Sequence, residues 1–158
     1  MNTRRTGLVV LLSALLAFLP VVTSAQSLVG VQANIVVNAG LTAYLSPLGQ
    51  VKIVGGSSLL SNLESAVQVP FAYGATATNL TVWLKQTTPA GGNVSLTVRV
   101  NGVDSALAVV FPPFTPAGVY ADSSNAVAIT PGDLVSLRLT NGSSGQAFFG
   151  GISFEYGP

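Results

Sequence analysis

The sequence predicts an all-β protein, a two-sheet antiparallel sandwich of eight to ten strands with jelly-roll or Greek-key topology. Three observations support this fold class. Short segments carry an apolar residue at every second position, turn residues separate them at short intervals, and no long stretch has helical spacing. Strands that alternate in this way present one apolar face, and that face requires a second layer to cover it.

The clearest alternation lies in Asn79–Phe111, which indicates three strands. In Asn93–Asn101 the Val and Leu side chains fall on one face, and Ser, Thr and Arg fall on the other. The Asn101-Gly102 pair supplies two residues that tolerate the left-handed conformation, as a tight type I′ hairpin turn requires. The sequence TTPAGG separates the first two strands. We therefore expect an antiparallel meander of three neighbouring strands.

Weaker strand patterns precede this region. Alternation predicts strands in Gln26–Asn38, Val51–Val54 and Val67–Tyr73, and Pro70 indicates an edge position or a bulge because it lacks a backbone donor. Leu59–Ala66 is the only candidate helix.

Prolines end the alternation after the central region. The segment Pro112–Asn125 is long for a hairpin connection, so we expect it to cross from one sheet to the other. Three further strands are predicted in Ala126–Thr130, Leu134–Thr140 and Phe148–Tyr156. The turn Thr130–Asp133 carries proline and glycine where a tight turn uses them.

Residues 1–25 have the features of a secretory signal peptide. Arg4 and Arg5 form a basic start, Leu8–Leu19 is an apolar core broken by a single serine, and small residues precede Gln26. The apolar stretch is shorter than the roughly 20 residues that span a bilayer. We predict a secreted or cell-surface protein that keeps no membrane span after cleavage.

The rest of the chain has the size of one domain. Segment 26–66 contributes N-terminal strands and a loop, and it is a candidate assembly segment. Segment 67–158 forms the β-sandwich core, and the two segments are expected to fold together.

Composition restricts the chemistry that is open to the chain. It has 158 residues, no cysteine and no histidine, with six Lys and Arg against five Asp and Glu. A Ser-His-Asp triad, a thiol nucleophile, a His/Cys zinc site and disulfides are therefore excluded. The few basic residues provide no nucleic-acid surface. We predict a non-enzyme without a cofactor or metal, whose low charge reflects an uncharged polar surface or a surface covered by neighbouring copies.

The acidic residues offer little support for catalysis. A glycosidase needs two carboxylates about 5–9 Å apart, but Asp104, Asp122 and Asp133 each lie beside a turn. Asp commonly bonds to its own neighbouring backbone, so turn capping is the expected role. A calcium site in the loops is the alternative, although no Asp-x-Asp-x-Asp-Gly run supports it.

Short motifs in the second half of the chain carry a resemblance. They are the hairpin Val98–Leu107, the D-S-S-N-x-V step at Asp122–Val127 and the P-G-D-L-V-S-L turn and strand at Pro131–Leu137. Together they resemble a β-sandwich module of bacterial exported and phage-type surface proteins. They are more loosely similar to the jelly-rolls of complement C1q, tumour necrosis factor and exosporium glycoprotein C-terminal domains. The resemblance implies a surface or structural role, often as a trimer, although this chain has no collagen-like stalk.

Trp83 is the most informative single side chain. It shares a strand face with Thr81 and Lys85, and we expect a loop or the second sheet to cover it. The alternative is an exposed platform for a sugar or a protein partner. Arg99 and Arg138 also lie on polar strand faces, so Trp83, Lys85, Arg99 and Arg138 would form one ligand or interface patch if their strands were adjacent.

Two functions remain open. The leading hypothesis is a secreted, non-enzymatic surface protein that self-associates into an extracellular oligomer or filament. Its N-terminal strand, with Val31, Ala33, Ile35 and Val37 on one face, either completes its own sandwich or pairs with the sheet of a neighbouring copy. The alternative is a carbohydrate-binding or adhesive module that uses the polar strand face around Trp83.

Overall fold

The computed structural model of the chain describes residues 27–48, 51–53, 56–58 and 60–158. Within these residues the protein is built from β-strands, and the only helical element is a single short 3-10 helix. The predicted signal segment, residues 1–25, lies outside the described part.

Twelve strands follow one another along the described chain. They are β1 (Ser27–Val37), β2 (Thr42–Leu45), β3 (Val51–Ile53), β4 (Gly56–Ser58), β5 (Val69–Pro70), β6 (Ala75–Leu84), β7 (Gly91–Val100), β8 (Val103–Phe111), β9 (Gly118–Asp122), β10 (Val127–Ile129), β11 (Leu134–Ser143) and β12 (Ala147–Gly157). The 3-10 helix, Glu64–Ala66, lies between β4 and β5.

Ten of these strands form two antiparallel five-stranded sheets. Sheet A has the order β1-β12-β6, and β9 and β10 both pair with the far edge of β6. Sheet B has the order β2-β11-β7-β8, with β5 also paired to β11. The remaining two strands, β3 and β4, form a separate hairpin. The chain changes sheet after β1, β5, β6, β8, β10 and β11, as jelly-roll sandwiches do, so the predicted fold class is confirmed.

The hydrophobic core lies between the two sheets. In β7, Val94, Leu96 and Val98 are fully buried on one face, as the alternation predicts. The inner faces of the other long strands contribute Leu80, Val82, Leu84, Leu107, Phe111, Val135, Leu137, Leu139, Phe149 and Phe154. Burial of these side chains is the main force that holds the sheets together, because the chain has no disulfides.

The predicted three-stranded meander is half correct. Strands β7 and β8 form a hairpin, and Asn101 and Gly102 have φ angles of 52° and 77°, as a type I′ turn requires. Strand β6, however, belongs to sheet A and does not pair with β7. The loop after β6 crosses between sheets, and Thr88 N–H donates to Thr115 O at 2.9 Å instead of closing a hairpin. Alternation identifies a strand and its buried face but not its neighbour.

The connection after β8 crosses from sheet B to sheet A, as predicted for Pro112–Asn125. It also contains a strand that the prediction missed, β9, which pairs with the Leu80–Leu84 half of β6. Prolines on one side and Asp-Ser-Ser-Asn on the other conceal its alternation.

The segment before β6 forms less regular structure than predicted. Of the strand expected in Val67–Tyr73, only β5 forms, and its Pro70 lies opposite Leu134 at the margin of sheet B. This edge position agrees with the prediction from proline. The candidate helix Leu59–Ala66 shortens to the three-residue 3-10 helix.

The N-terminal strand completes its own sheet. Strand β1 pairs with β12 from Ser27 opposite Tyr156 to Val37 opposite Ala147. Ile35 and Val37 are buried in the core of the same chain, whereas the side chains of Val31 and Ala33 lie outside the described part. The assembly role of this strand stays a prediction.

Candidate functional site

Trp83 lies on the outer face of sheet A. It is opposite Gly151 of β12 on one side and Val119 of β9 on the other. The side-chain neighbours along β6, Val82 and Leu84, point inward and are fully buried. We expect a loop or the second sheet to cover Trp83, and that expectation is wrong, because the side chain is 51% exposed. The alternative, an exposed platform, describes its surroundings.

A glycine makes room for the indole on the sheet. An added Cβ at Gly150 would lie 2.3 Å from Cε3 and 2.5 Å from Cδ2 of Trp83. These distances are far below van der Waals contact, so the six-membered ring of Trp83 covers the backbone at Gly150. A residue with any side chain at this position would push the indole away from the sheet. Gly150 therefore sets the position of the platform, a role that nothing in the sequence pattern indicated.

Lys85 adds a positive charge beside the indole. Its Nζ lies 6.0 Å from the centroid of the Trp83 ring, a distance at which the ammonium still interacts with an aromatic face. The same Nζ donates to Asn34 Oδ1 of β1 at 2.7 Å. Trp83 and Lys85 therefore belong to one surface, which continues onto β9 with the exposed residues Val119, opposite Trp83, and Ala121, opposite Thr81. We call Asn34, Trp83, Lys85, Val119 and Ala121 the sheet A platform.

The structure does not bring Arg99 and Arg138 to this platform. They lie on β7 and β11, which are adjacent in sheet B, whereas β6 belongs to sheet A. The four residues Trp83, Lys85, Arg99 and Arg138 therefore form two groups on different sheets rather than one patch. The prediction required β6 to neighbour β7, and that pairing does not form.

Arg99 and Arg138 are engaged in a network of ion pairs on sheet B. Arg99 Nε donates to Glu64 Oε1 at 2.8 Å, and its Nη1 pairs with Asp104. Arg138 Nη2 lies 2.6 Å from Asp104 Oδ2. Ser136 Oγ donates to the same Glu64 oxygen at 2.6 Å. We call Glu64, Arg99, Asp104, Ser136 and Arg138 the sheet B network.

The sheet B network raises the pKa of Arg99. Burial by itself would lower the pKa of Arg99, but the hydrogen bond and charge of Glu64 and the charge of Asp104 raise it above its ordinary value. Tyr44 also packs against the guanidinium, 5.7 Å from its ring centroid. The charges of this network neutralise one another, so they serve to fix the 3-10 helix against sheet B and are not free to bind an anion.

Two of the three turn-side aspartates are caps, as predicted. Asp122 is buried and accepts hydrogen bonds from the backbone N–H groups of Ser124, Asn125 and Ala108. Burial would raise the pKa of Asp122, but these bonds and the one from the Asn125 side chain lower it well below its usual range. Asp133 accepts from Thr130 N–H at 2.7 Å, and this bond lowers its pKa. The capping role predicted for Asp104 is wrong, because its carboxylate pairs with two arginines.

The described residues contain neither a metal-binding cluster nor a helix that could cross a membrane. Among them, no three His, Cys, Asp or Glu side chains come together in a group that could hold a metal ion. No helix in this part of the chain has the length and apolar character needed to cross a membrane.

Comparison with known proteins gives distant structural matches only. No protein-family profile and no curated protein matches the sequence. A family 35 carbohydrate-binding module from Clostridium thermocellum aligns with 15% identity and a TM-score of 0.42 over 81% of this chain and 97% of the module. The CBM36-1 domain of a multidomain xylanase from the hindgut metagenome of Trinervitermes trinervoides aligns with 9% identity and a TM-score of 0.41, over 82% and 96% of the two chains.

A third solved structure is the Podospora anserina GH26-CBM35 β-(1,4)-mannanase. It aligns with 17% identity and a TM-score of 0.40 over 80% of this chain but only 27% of the enzyme. With TM-scores below 0.5, these alignments do not bear on what this chain binds.

Proposed function

We propose that this chain is an exported, non-enzymatic module that binds carbohydrate on the sheet A platform. The observation that carries the proposal is the half-exposed indole of Trp83, which lies across Gly150 on an open sheet face. Large aromatic side chains are normally buried because they carry so much apolar surface. The exposed indole of Trp83, which lies over Gly150 on the outer face of the sheet, is therefore positioned to contact a ligand from solvent.

The chemistry of the platform suits a sugar. A pyranose ring presents a face of C–H groups, which packs against an aromatic face, while its hydroxyls require hydrogen-bonding partners. Lys85 donates hydrogen bonds, and the amide of Asn34 both donates and accepts. These two polar side chains already lie within 2.7 Å of each other next to the indole. Val119 and Ala121 extend the apolar surface along β9.

The acidic residues support a binding role over a hydrolytic one. Glu64 and Asp104 are held in the sheet B network, Asp122 and Asp133 cap turns, and Glu155 accepts from Asn79 Nδ2 at 2.7 Å. All five carboxylates of the chain are thus engaged by neighbouring side chains or backbone. Glycoside hydrolysis needs a pair of carboxylates directed at the substrate, and no such pair remains.

The test uses soluble oligosaccharides, so that avidity does not enter the measurement. Trp83 is the only tryptophan in the chain, and its emission should therefore shift directly when a sugar stacks on it. Calorimetry with a panel of oligosaccharides should identify a ligand whose affinity falls by at least about tenfold in Trp83→Ala. Tyr73→Ala is the matched control, because Tyr73 is an exposed aromatic residue remote from the platform.

Two results would contradict the proposal. One is a ligand whose affinity depends on Tyr73 and not on Trp83. The other is a folded wild-type protein that binds none of the neutral, acidic and amino-sugar oligosaccharides.

Self-association is a second candidate function. The observation that favours it is the presence of large exposed aromatic side chains, Tyr73 and Phe114, in a chain with very few charges. The resemblance to trimeric surface jelly-rolls gives a reason to look for closed oligomers as well as open chains. Light scattering of the protein as secreted, over a wide range of concentrations, tests this candidate, and a monomer at every concentration would exclude it.

A further inference from the structure

An apolar cleft opens at one end of the sandwich. Its volume is about 390 Å³, within the roughly 300–1,000 Å³ range of ligand pockets. Phe71 and Tyr156 meet edge to face at 5.7 Å and form part of its lining. Leu48, Pro70 and the 83% exposed Tyr73 also line it. Among the described residues, the side chains that line the cleft carry no charge.

Two phenol groups line the cleft, those of Tyr73 and Tyr156. In the part of the chain that the structure describes, neither the Tyr73 nor the Tyr156 phenol oxygen has a hydrogen-bond partner. Each phenol can therefore donate to a carbonyl of an incoming group. The site suits an uncharged occupant with an aromatic or aliphatic side chain and accessible backbone carbonyls.

An exposed phenylalanine projects from the loop between β8 and β9. Phe114 is 68% exposed and has a φ angle of 64°, a left-handed conformation that is unfavourable for a bulky residue. Such a conformation persists only where its surroundings hold it. Here Phe114 N–H donates to Thr88 O at 3.1 Å, and Thr115 N–H donates to Thr88 Oγ1 at 2.8 Å. The loop presents the phenyl ring on a fixed support.

The flanking loop matches the cleft in character. It reads PPFTP from Pro112 to Pro116 and contains no charged residue. Proline removes backbone donors and limits the conformational freedom that docking would cost. The carbonyl oxygens of Pro112, Thr115 and Pro116 accept hydrogen bonds within the chain. Among the described residues this leaves two acceptors, the carbonyls of Pro113 and Phe114, for the two phenols of a partner.

The cleft and the phenylalanine lie at opposite ends of the sandwich. Ala75, the first residue of β6, lines the cleft. Leu84, the last residue of β6, lies opposite Gly118, four residues after Phe114. A strand of this length spans about 30 Å. Phe114 therefore cannot reach the cleft of its own chain, and only a second copy can bring the two together.

We infer that copies of this chain associate head to tail, with Phe114 of one copy docked in the Tyr73–Tyr156 cleft of the next. The inference rests on the second candidate function, self-association, and identifies its interface. In this head-to-tail arrangement each copy uses its two ends for two different neighbours, so the contact is heterologous and propagates as an open chain or closes as a ring.

The test exploits the two halves of this contact. The full chain is expressed in a secreting host, so that any leader is processed, and its association is followed by sedimentation velocity. Phe114→Asn removes the ring and keeps a residue that tolerates positive φ. Ala72→Asp places a charge at the exposed lining of the cleft. Each variant should weaken self-association by at least about tenfold.

Mixing the two variants gives the decisive result. Phe114→Asn retains an intact cleft and Ala72→Asp retains an intact Phe114, so an equimolar mixture should form heterodimers that cannot extend. An interface that does not join Phe114 to the cleft would give no such rescue, and a reciprocal two-fold dimer would differ from head-to-tail association because its wild type stops at the dimer. Val110→Thr is the matched control: Val110 is an exposed apolar residue on edge strand β8, and its substitution should leave association unchanged.

Three outcomes would overturn the inference. They also distinguish failure of this interface from failure of self-association as a whole. A wild-type monomer at all concentrations removes self-association altogether. A wild-type oligomer that survives both variants keeps self-association but excludes this interface. An oligomer lost only in Val110→Thr shows pairing through the edge of sheet B.

Discussion

The outer faces of the two sheets use their polar residues in different ways. On sheet B, Arg99 and Arg138 are neutralised by Glu64 and Asp104, so the charges of that face are satisfied within the molecule. On sheet A, Trp83 stays half-exposed, and the Lys85 ammonium donates to the neutral amide of Asn34 and forms no ion pair among the described residues. Both faces come from the same kind of alternating strand. The charged face therefore belongs to the fold, and the outer face of sheet A, which exposes the Trp83 indole, is the better candidate for binding.

The largest expected effect comes from breaking the sheet B network. Arg99→Ala leaves Glu64 without its partner in a mostly buried setting and should lower the free energy of unfolding by about 3 kcal/mol. Arg138→Ala is the matched control, because the Arg138 side chain is more exposed and Asp104 is its one ion-pair partner among the described residues; its cost should be about 1 kcal/mol. Urea denaturation at neutral pH measures both values. Equal costs would show that Glu64 does not anchor the network through Arg99.

A smaller effect is expected where the two sheets meet. Asp122, in β9 of sheet A, accepts a hydrogen bond from Ala108 N–H of β8 in sheet B at 3.1 Å. Asp122→Asn keeps the size of the side chain but removes its charge, and it should cost about 2 kcal/mol at pH 7. The variant therefore measures what this carboxylate contributes through its bond to β8 and its cap on Ser124 and Asn125 together.

The pH dependence of this effect has a definite sign. Since hydrogen bonds hold the pKa of Asp122 below its unfolded value of about 3.9, its contribution is present above about pH 5 and is lost at lower pH. The difference in unfolding free energy between wild type and Asp122→Asn should shrink as pH falls from 6 to 3. Asp133, whose pKa is also lowered, is present in both proteins and cancels. A constant difference would mean that the charge of Asp122 is unimportant.

The sequence predicted local structure well and spatial neighbours poorly. Alternation identified β7 and β11 with their buried faces, and Asn101-Gly102 identified the type I′ turn, because these signals lie within a few residues of each other. The pairing of β6 with β12 and β9 joins residues that are far apart in the chain, and nothing local specifies it. For this reason Trp83 was found as a candidate, while Gly150 and the separation of Arg99 from Lys85 were not.

The smallest effect on stability should come from Gly150→Ala, which addresses the sheet A platform directly. The added methyl group would fall 2.3 Å from the Trp83 ring, so the indole must rotate away from the sheet. Since the ring is half-exposed, it can move at a cost of about 1 kcal/mol. The emission of Trp83 should shift to longer wavelength, and affinity for the oligosaccharide identified with wild type should fall. Gly30→Ala on β1 is the matched control, because no atom lies closer than 4.0 Å to its added Cβ.

The outcome of this substitution distinguishes an open platform from a packed side chain. Loss of affinity with little loss of stability means that the position of the indole matters for the ligand and hardly matters for the fold. A loss of several kcal/mol would instead place Trp83 with the structural residues, as on sheet B, and would remove the contrast between the two faces. Unchanged emission and affinity would show that the ring does not depend on Gly150, and the platform would then have to be sought elsewhere on sheet A.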